Sequence, residues 1–355
     1  MELKTQNNFE RVNLLDSFRA IAIIAVLLYH FFYRWNSGFV LSKFFHYGFK
    51  GVSFFFIISG FVIYNTLEKT PSILIFFKKR FVRLFPSLFF ASTITYLIIS
   101  CFDDKNLFLD SHSVYNYIIS LTFIPPKVFN ILYQRGEVFG YLNYSYWSLW
   151  VEVQFYLFIG IIYYFSDYKK YFINVFLIIL LISTKVAVIF ESILFTKITT
   201  LLNLPLYLHY FLMGVVFCEM YNIKMSKFPI KNKHIFTLFL LFSYALFPFS
   251  KVEFIFIVVS YALFLSFIYL PKALSFLENK IFFKIGVSSY FLYLIHEYIG
   301  ALLIKKSIPF FPPYLDFLPL LVIIFFIIIS YFYTFTFENK LISFLWVLLN
   351  KSKNK

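Results

Sequence analysis

Residues 15–32 read LDSFRAIAIIAVLLYHFF, an apolar run interrupted by Arg19 near its start and His30 near its end. A helix rises about 1.5 Å per residue and needs about 20 mostly apolar residues to cross the hydrocarbon core, so with its flanks this run is long enough to span. An ionisable group at that depth costs about 2.5–3.5 kcal/mol and needs a partner or a task. Arg19 and His30 are eleven residues apart. Three helical turns take about 10.8 residues, which puts both on nearly the same face with ~16 Å between them. Arg19 reaching the inner headgroups and His30 the outer ones is the simple alternative.

The rest of the chain repeats the pattern. Of its 355 residues 61% are hydrophobic and 14% charged, and the mean hydropathy is +0.80. That is too apolar for a soluble domain of this length and predicts an all-α integral membrane protein. Ten spans are predicted, at 14–33, 51–67, 84–101, 147–165, 171–190, 204–221, 233–249, 253–270, 287–304 and 315–337. An even number puts both termini on one side. Lys and Arg outnumber those of the opposite side there two to one, through Lys69, Lys78, Lys79, Arg80 and Arg83 above all, which makes that side cytoplasmic. The same bias accounts for most of the net charge of +15, so a basic chain here does not imply a nucleic-acid partner. A single membrane-embedded domain over 1–355 is expected, without an appended soluble domain. The first helix lacks a cleavage site after it and stays in the mature protein. The longest stretch between spans, 102–146, then faces outward, with an apolar piece from Tyr117 to Ile124 that is too short to cross and lies in the interface or re-enters. Cys101 and Cys218 fall near opposite faces, which excludes a disulfide between them. The 55 Phe and 28 Tyr read as a bias of genome composition and carry no functional argument.

Four further stretches stand beside the first: GVSFFFIISGFVI at 51–63, KKRFVRLFP at 78–86 in a cytoplasmic loop, YWSLWVEVQFYLF at 146–158 and SSYFLYLIHEY at 288–298. Together and in this order they resemble the acyltransferase-3 family, polytopic bacterial enzymes that move acyl groups from cytoplasmic acyl-CoA to extracytoplasmic acceptors, often hydroxyls of surface polysaccharides. The resemblance runs from about Leu14 to the final helix. It implies that Arg19 and His30 form the family's pair of Arg and His separated by ten residues, that Arg80 and Arg83 form its Arg-x-x-Arg motif, and that Glu152 is the glutamate of its tryptophan-rich motif. His296 and Glu297 match a Tyr-Leu-x-His motif.

Depth adds to this. Glu152 lies about 7 Å along its helix from Trp147 at the outer interface, level with His30, so the two are expected to pair and fix the imidazole tautomer. A sugar hydroxyl is a poor nucleophile, and acyl transfer from a thioester needs a base within hydrogen-bond reach and donors for the developing oxyanion. His30 is the expected base, Glu152 its orienting partner, and Arg19 a guide for the donor or a support for the site. Arg80 and Arg83, three residues apart, share a helix face and can hold the phosphates of CoA, although topology alone also calls for a basic cluster there. CoA phosphates at Arg80 and Arg83 would let the pantetheine arm run past Arg19 toward His30. Gly51, Ser53, Ser59 and Gly60 are read first as close-packing residues, with Ser53 and Ser59 as candidates for lining the site. His296 lines the site or makes a structural hydrogen bond, two readings the sequence does not separate. Lys185, His209 and Glu219 have no motif behind them, and no metal-ligand spacing is present.

The expected function is therefore O-acyl transfer, with acetyl-CoA as co-substrate and no permanently bound cofactor. The acceptor is a carbohydrate, free or lipid-linked, or a separate acyl-accepting protein, at a bacterial plasma membrane. A polysaccharide-lipid flippase or a glycan polymerase would also need many helices and buried charges. No repeat symmetry or paired broken helices of the transporter kind are apparent.

Overall fold

The computed structural model describes residues 13–35, 39–133, 136, 138–165, 202–225, 250–311 and 316–351. The expected spans at 171–190 and 233–249, with Lys185, lie outside these residues. Among the described residues there are helices and no strands, and eight segments are long and apolar enough to cross a membrane. They correspond to the other eight expected spans.

α1 (Asn13–Leu28) runs on into a π turn, Tyr29–Arg34. A 3₁₀ stretch, Val40–Phe49, leads into α2 (Lys50–Glu68). α3 (Ile73–Phe102) begins where the Ser72 hydroxyl accepts from the Ile75 amide. Two short helices follow, α4 (Val114–Ser120) and α5 (Pro126–Tyr133), and then the spans α6 (Trp147–Phe165), α7 (Leu204–Met225) and α8 (Lys251–Tyr269). Asn279 caps α9 (Lys280–Ser307) by accepting from the Ile281 and Phe282 amides. α10 (Leu318–Tyr333) passes through a second π turn, Thr334–Glu338, into α11 (Asn339–Lys351).

The largest departure from expectation is at residues 78–86. They are not a loop. Lys78, Lys79, Arg80 and Arg83 lie inside α3, which continues through Pro86, so the basic cluster sits on the same rigid helix as the span. Sequence bounds cut the helix at its charges because hydropathy falls there, while the backbone goes on. The expected piece at Tyr117–Ile124 becomes α4 and the turn after it, packed back on the bundle where Thr93 Oγ1 meets the Tyr117 hydroxyl at 3.0 Å.

Two apolar cores share α1. Phe18 and Ala22 pack with α2, α6, α7 and α8, whereas Ile23, Leu27 and Phe31 pack with α3, α9 and α10. Glycines let the halves close. A Cβ on Gly60 would fall 2.0 Å from the Phe211 carbonyl oxygen, and one on Gly214 1.9 Å from that of Ile57, so α2 and α7 touch backbone to backbone. Outward, Leu321, Ile324, Phe325 and Ile328 of α10 are exposed, as a lipid-facing helix requires. Cys101 is exposed and Cys218 buried, and both are free.

Contacts between elements fix which ends of the helices lie together. Asp16 meets Gly286, Tyr164 donates to the Thr70 carbonyl, and Arg83 pairs with Glu338, so the start of α1, the ends of α2 and α6 and the start of α3 share what we call the arginine end. His30, Lys50, Asp103, Trp147 and Glu253 lie toward the other, the histidine end.

Candidate active site

Two cavities lie at the seam between the two cores. The larger, at the histidine end, has a volume of about 950 Å³ and is lined by His30, Arg34, Lys50, Ser53 and Glu253 together with aromatic side chains. The smaller, about 140 Å³, is lined by Arg19, Arg80, Arg83, Ser59, Glu152 and Tyr156. Val52 and Tyr293 line both. A basic chamber and one that contains an imidazole therefore adjoin at these two side chains.

His30 belongs to the π turn, a helix defect that is frequent at functional sites. Its Nδ1 lies 3.3 Å from Oε1 of Glu297, and the Nε of Arg34 lies 3.3 Å from the same oxygen. Glu297 is fully buried. His296 packs edge-on to His30 with ring centroids 4.9 Å apart, and its Nδ1 is 2.7 Å from the Tyr293 carbonyl oxygen, which fixes that nitrogen as the N–H donor. Of the two readings of His296, the structural hydrogen bond is present, and the ring also forms the floor under His30.

At the arginine end the Ser59 hydroxyl donates to Oε1 of Glu152 at 2.7 Å, and the Tyr156 hydroxyl donates to the same oxygen. Arg19 is held by Asp16 at 2.7 Å. Arg83 is paired with Glu338, which also accepts from Ser87 at 3.0 Å. Arg80 stacks over the Phe76 ring, and among the described residues its Nε has no hydrogen-bond partner.

The expected pairing of His30 with Glu152 is thus corrected: Glu297 takes the imidazole, and Glu152 opens on the other cavity. Glu152 is also not level with His30, since its carboxylate meets Ser59 and Tyr156 at the arginine end, and rotation was left out. Residues 147 and 152 are about 140° apart around a helix of 3.6 residues per turn, so Trp147 faces the large cavity and Glu152 the small one. Arg19 and His30 do share an inward face, one per cavity. The close-packing reading holds for Gly51, whose Cβ would fall 2.4 Å from the Ala22 carbonyl oxygen, and for Gly60. Ser53 and Ser59 instead line the large and the small cavity respectively. His209 lines the large cavity, and Glu219 accepts from the Tyr64 hydroxyl at 3.0 Å.

Glu297 was visible only as the neighbour of a motif histidine. Arg34 carried a usable signal, lying four residues after His30 in the same helix. Glu338 had none, because it meets Arg83 across 255 residues of sequence.

A bundle that is all helical among the described residues, with eight helices long and apolar enough to cross a membrane, defines a multi-pass membrane protein. A family model described as "Acyltransferase domain" matches residues 12–338, and the chain belongs to this acyltransferase-3 family. Among relatives, the peptidoglycan O-acetyltransferase OatA of Listeria monocytogenes is 32% identical over 168 residues, 44% of this chain and 25% of that protein. The O-acetyltransferase OatA of Staphylococcus aureus is 30% identical over 152 residues, 40% of this chain and 23% of that protein. The matched stretch thus spans about a quarter of each relative's length. No solved structure matches the chain.

Proposed function

We propose that the chain is an O-acyltransferase of the bacterial plasma membrane that moves an acetyl group from cytoplasmic acetyl-CoA to a hydroxyl of an extracytoplasmic glycan. The observation that carries this is the pair of cavities meeting at Val52 and Tyr293, one lined by three arginines and the other by His30.

In this reading the arginine end is cytoplasmic, in keeping with the charge bias. The small cavity has room for the acyl-thioester end of the pantetheine arm and not for a nucleotide, so the phosphates of CoA stay outside it, toward Arg80 and Arg83. Arg80 lies beside Tyr156 and Glu152 but keeps its Nε–H unpartnered among the described residues, whereas Arg83 is ion-paired with Glu338, so Arg80 is the better anion receptor of the two. The acceptor enters the large cavity. Its hydroxyl oxygen attacks the thioester carbonyl carbon as His30 takes the hydroxyl proton, the carbon–sulfur bond breaks, and the departing thiolate is protonated to free CoA. Glu297 and Arg34 orient the imidazole and balance the charge it gains. The donor available to the developing oxyanion is the Arg19 guanidinium of the small cavity, since the single Tyr293 O–H is already given to the Ser145 carbonyl. A glycan on a lipid carrier would reach the large cavity from the plane of the membrane.

The test is transfer of radiolabelled acetate from acetyl-CoA in proteoliposomes supplied with cell-wall or capsular glycan. Wild-type protein is expected to label the glycan and His30→Ala to lose at least about a hundredfold in rate. Normal labelling by that variant would overturn the role of His30, and absence of acetyl-CoA turnover by the wild type would overturn the function.

A further inference from the structure

The large cavity contains a second charged cluster that proton transfer at His30 does not use. Lys50 opens α2, Tyr210 lies in α7, and Glu253 sits in the first turn of α8, where Ser250 caps the helix. The Lys50 ammonium is paired with Oε2 of Glu253, and the Tyr210 hydroxyl donates to Oε1. Lys50 Nζ also lies 3.5 Å from the Tyr210 oxygen. Glu253 is only 8% exposed. A buried ion pair of this kind is rarely more stabilising than apolar side chains of similar volume, so its presence on the wall of a 950 Å³ cavity calls for a reason other than stability.

Trp147 and Tyr207 line the same cavity, with ring centroids 5.2 Å apart, backed by Phe56. Aromatic faces beside a few convergent polar groups are the makings of a small-molecule site. A pyranose ring has the matching chemistry, with an apolar C–H face to stack and hydroxyls that each donate and accept. Glu253 neutralises Lys50, and Glu297 engages Arg34 in the same way. The ammonium keeps one N–H beyond its two contacts, and the carboxylate keeps lone pairs. Lys127 also lines the cavity and has no ion-pair partner among the described residues, so the wall as a whole offers donors and acceptors with an excess of positive charge, while the Lys50–Glu253 patch itself is neutral.

We propose that Lys50, Glu253 and Tyr210, with Trp147 and Tyr207, form the acceptor subsite and take a pyranose ring, its C–H face on the aromatic pair and vicinal hydroxyls on the Lys50–Glu253 patch. This rests on the reading of the chain as a glycan O-acyltransferase, since it identifies the ring presented to His30.

Saturation-transfer NMR on the detergent-purified full chain tests it without acetyl-CoA. The probes are methyl glucoside and methyl N-acetylglucosaminide. At least one neutral glycoside is expected to bind, with the strongest saturation on ring C–H protons. Lys50→Met combined with Glu253→Gln removes the pair without leaving a lone charge and is expected to weaken neutral binding about tenfold or more, the loss of one charge-assisted hydrogen bond. Should that double variant fail to fold, Trp147→Ala and Tyr207→Ala remove the stacking face alone and are expected to abolish the C–H saturation. No binding of either neutral glycoside, or unchanged binding in the folded variants, overturns the subsite. Neutral binding as expected with no acetyl transfer in proteoliposomes leaves the subsite standing and removes the enzymatic reading. Acetyl transfer without neutral binding does the reverse.

Discussion

His30 and Arg34 lie four residues apart on one π turn, and both approach the same oxygen of Glu297 at 3.3 Å. These are charge contacts: among the described residues neither His30 Nδ1 nor either Glu297 oxygen makes a hydrogen bond of good geometry, so the carboxylate acts on the imidazole through its charge. Glu297→Gln keeps the shape and removes the charge. Its acetyl-transfer rate is expected to fall about tenfold to a hundredfold, with the KM for acetyl-CoA little changed, because the donor is bound at the other end; initial rates against acetyl-CoA concentration decide it. Arg80 and Arg83 separate in the opposite sense. Arg80→Ala is expected to raise the KM for acetyl-CoA several-fold with little loss of stability. Arg83→Ala leaves Glu338, 2% exposed, without its cation and should cost about 2 kcal/mol of stability, read as a lower Tm in detergent without acetyl-CoA. From sequence these two arginines looked equivalent, since the residue that distinguishes them lies on the last helix. Glu152 shows a related limit: depth along a helix can be counted from sequence, but the partner depends on rotation and on which helix packs opposite.

At the scale of elements, eight spans were legible because hydropathy reports burial in lipid directly. What it does not report is how far a helix continues once charges begin, hence the extension of α3 back to Ile73 and of α9 back to Lys280. Nor does it report a π turn, which changes register by a single residue without any change of composition. Packing between α2 and α7 is open to test: Gly60→Ala puts a methyl into the Phe211 backbone, and a loss of about 1–3 kcal/mol is expected from the forced separation, seen as a lower unfolding midpoint with the His30 site chemically intact. At the histidine end of α3, Asp103 follows the last turn, and its carboxylate accepts from the Leu107 and Phe108 amides at 3.0 and 2.9 Å and lies 3.2 Å from His112 Nε2. Burial raises the affinity of this carboxyl for a proton, but the two amides and His112 outweigh it and hold its pKa below the ordinary carboxylate value. The folded value is the depressed one, so the stabilisation is complete above about pH 4, the unfolded carboxylate value, and is lost as pH falls through the lower folded value. Hydrogen exchange at Leu107 and Phe108 is expected to speed up in that acidic window, and in Asp103→Asn already at neutral pH.

Over the whole molecule, the two apolar cores meet along α1, and the seam between them is where the chain places its charges. α1 with its π turn belongs to both cores and both cavities, as α6 also does, and it brings Arg19 to one cavity and His30 to the other. If acetyl groups cross the seam, everything must pass Val52 and Tyr293. Tyr293 is fixed there, its hydroxyl accepting from Ser148 at 2.8 Å and donating to the Ser145 carbonyl at 2.9 Å, so Val52 is the side chain whose size sets the opening. Val52→Phe fills the junction without adding or removing charge in either cavity. Acetyl-CoA binding at the arginine end is then expected to persist, whereas acetyl transfer to an acceptor should fall by at least about a hundredfold, and Val52→Ala should retain transfer. Sealed vesicles of known orientation add direction to the same experiment. Label should reach the glycan only when acetyl-CoA is supplied on the side of Arg80 and Arg83 and the glycan on the side of His30. Transfer with both supplied on one side, or full transfer by Val52→Phe, would mean that donor and acceptor meet by another route and that the two cavities are not consecutive stations of one path.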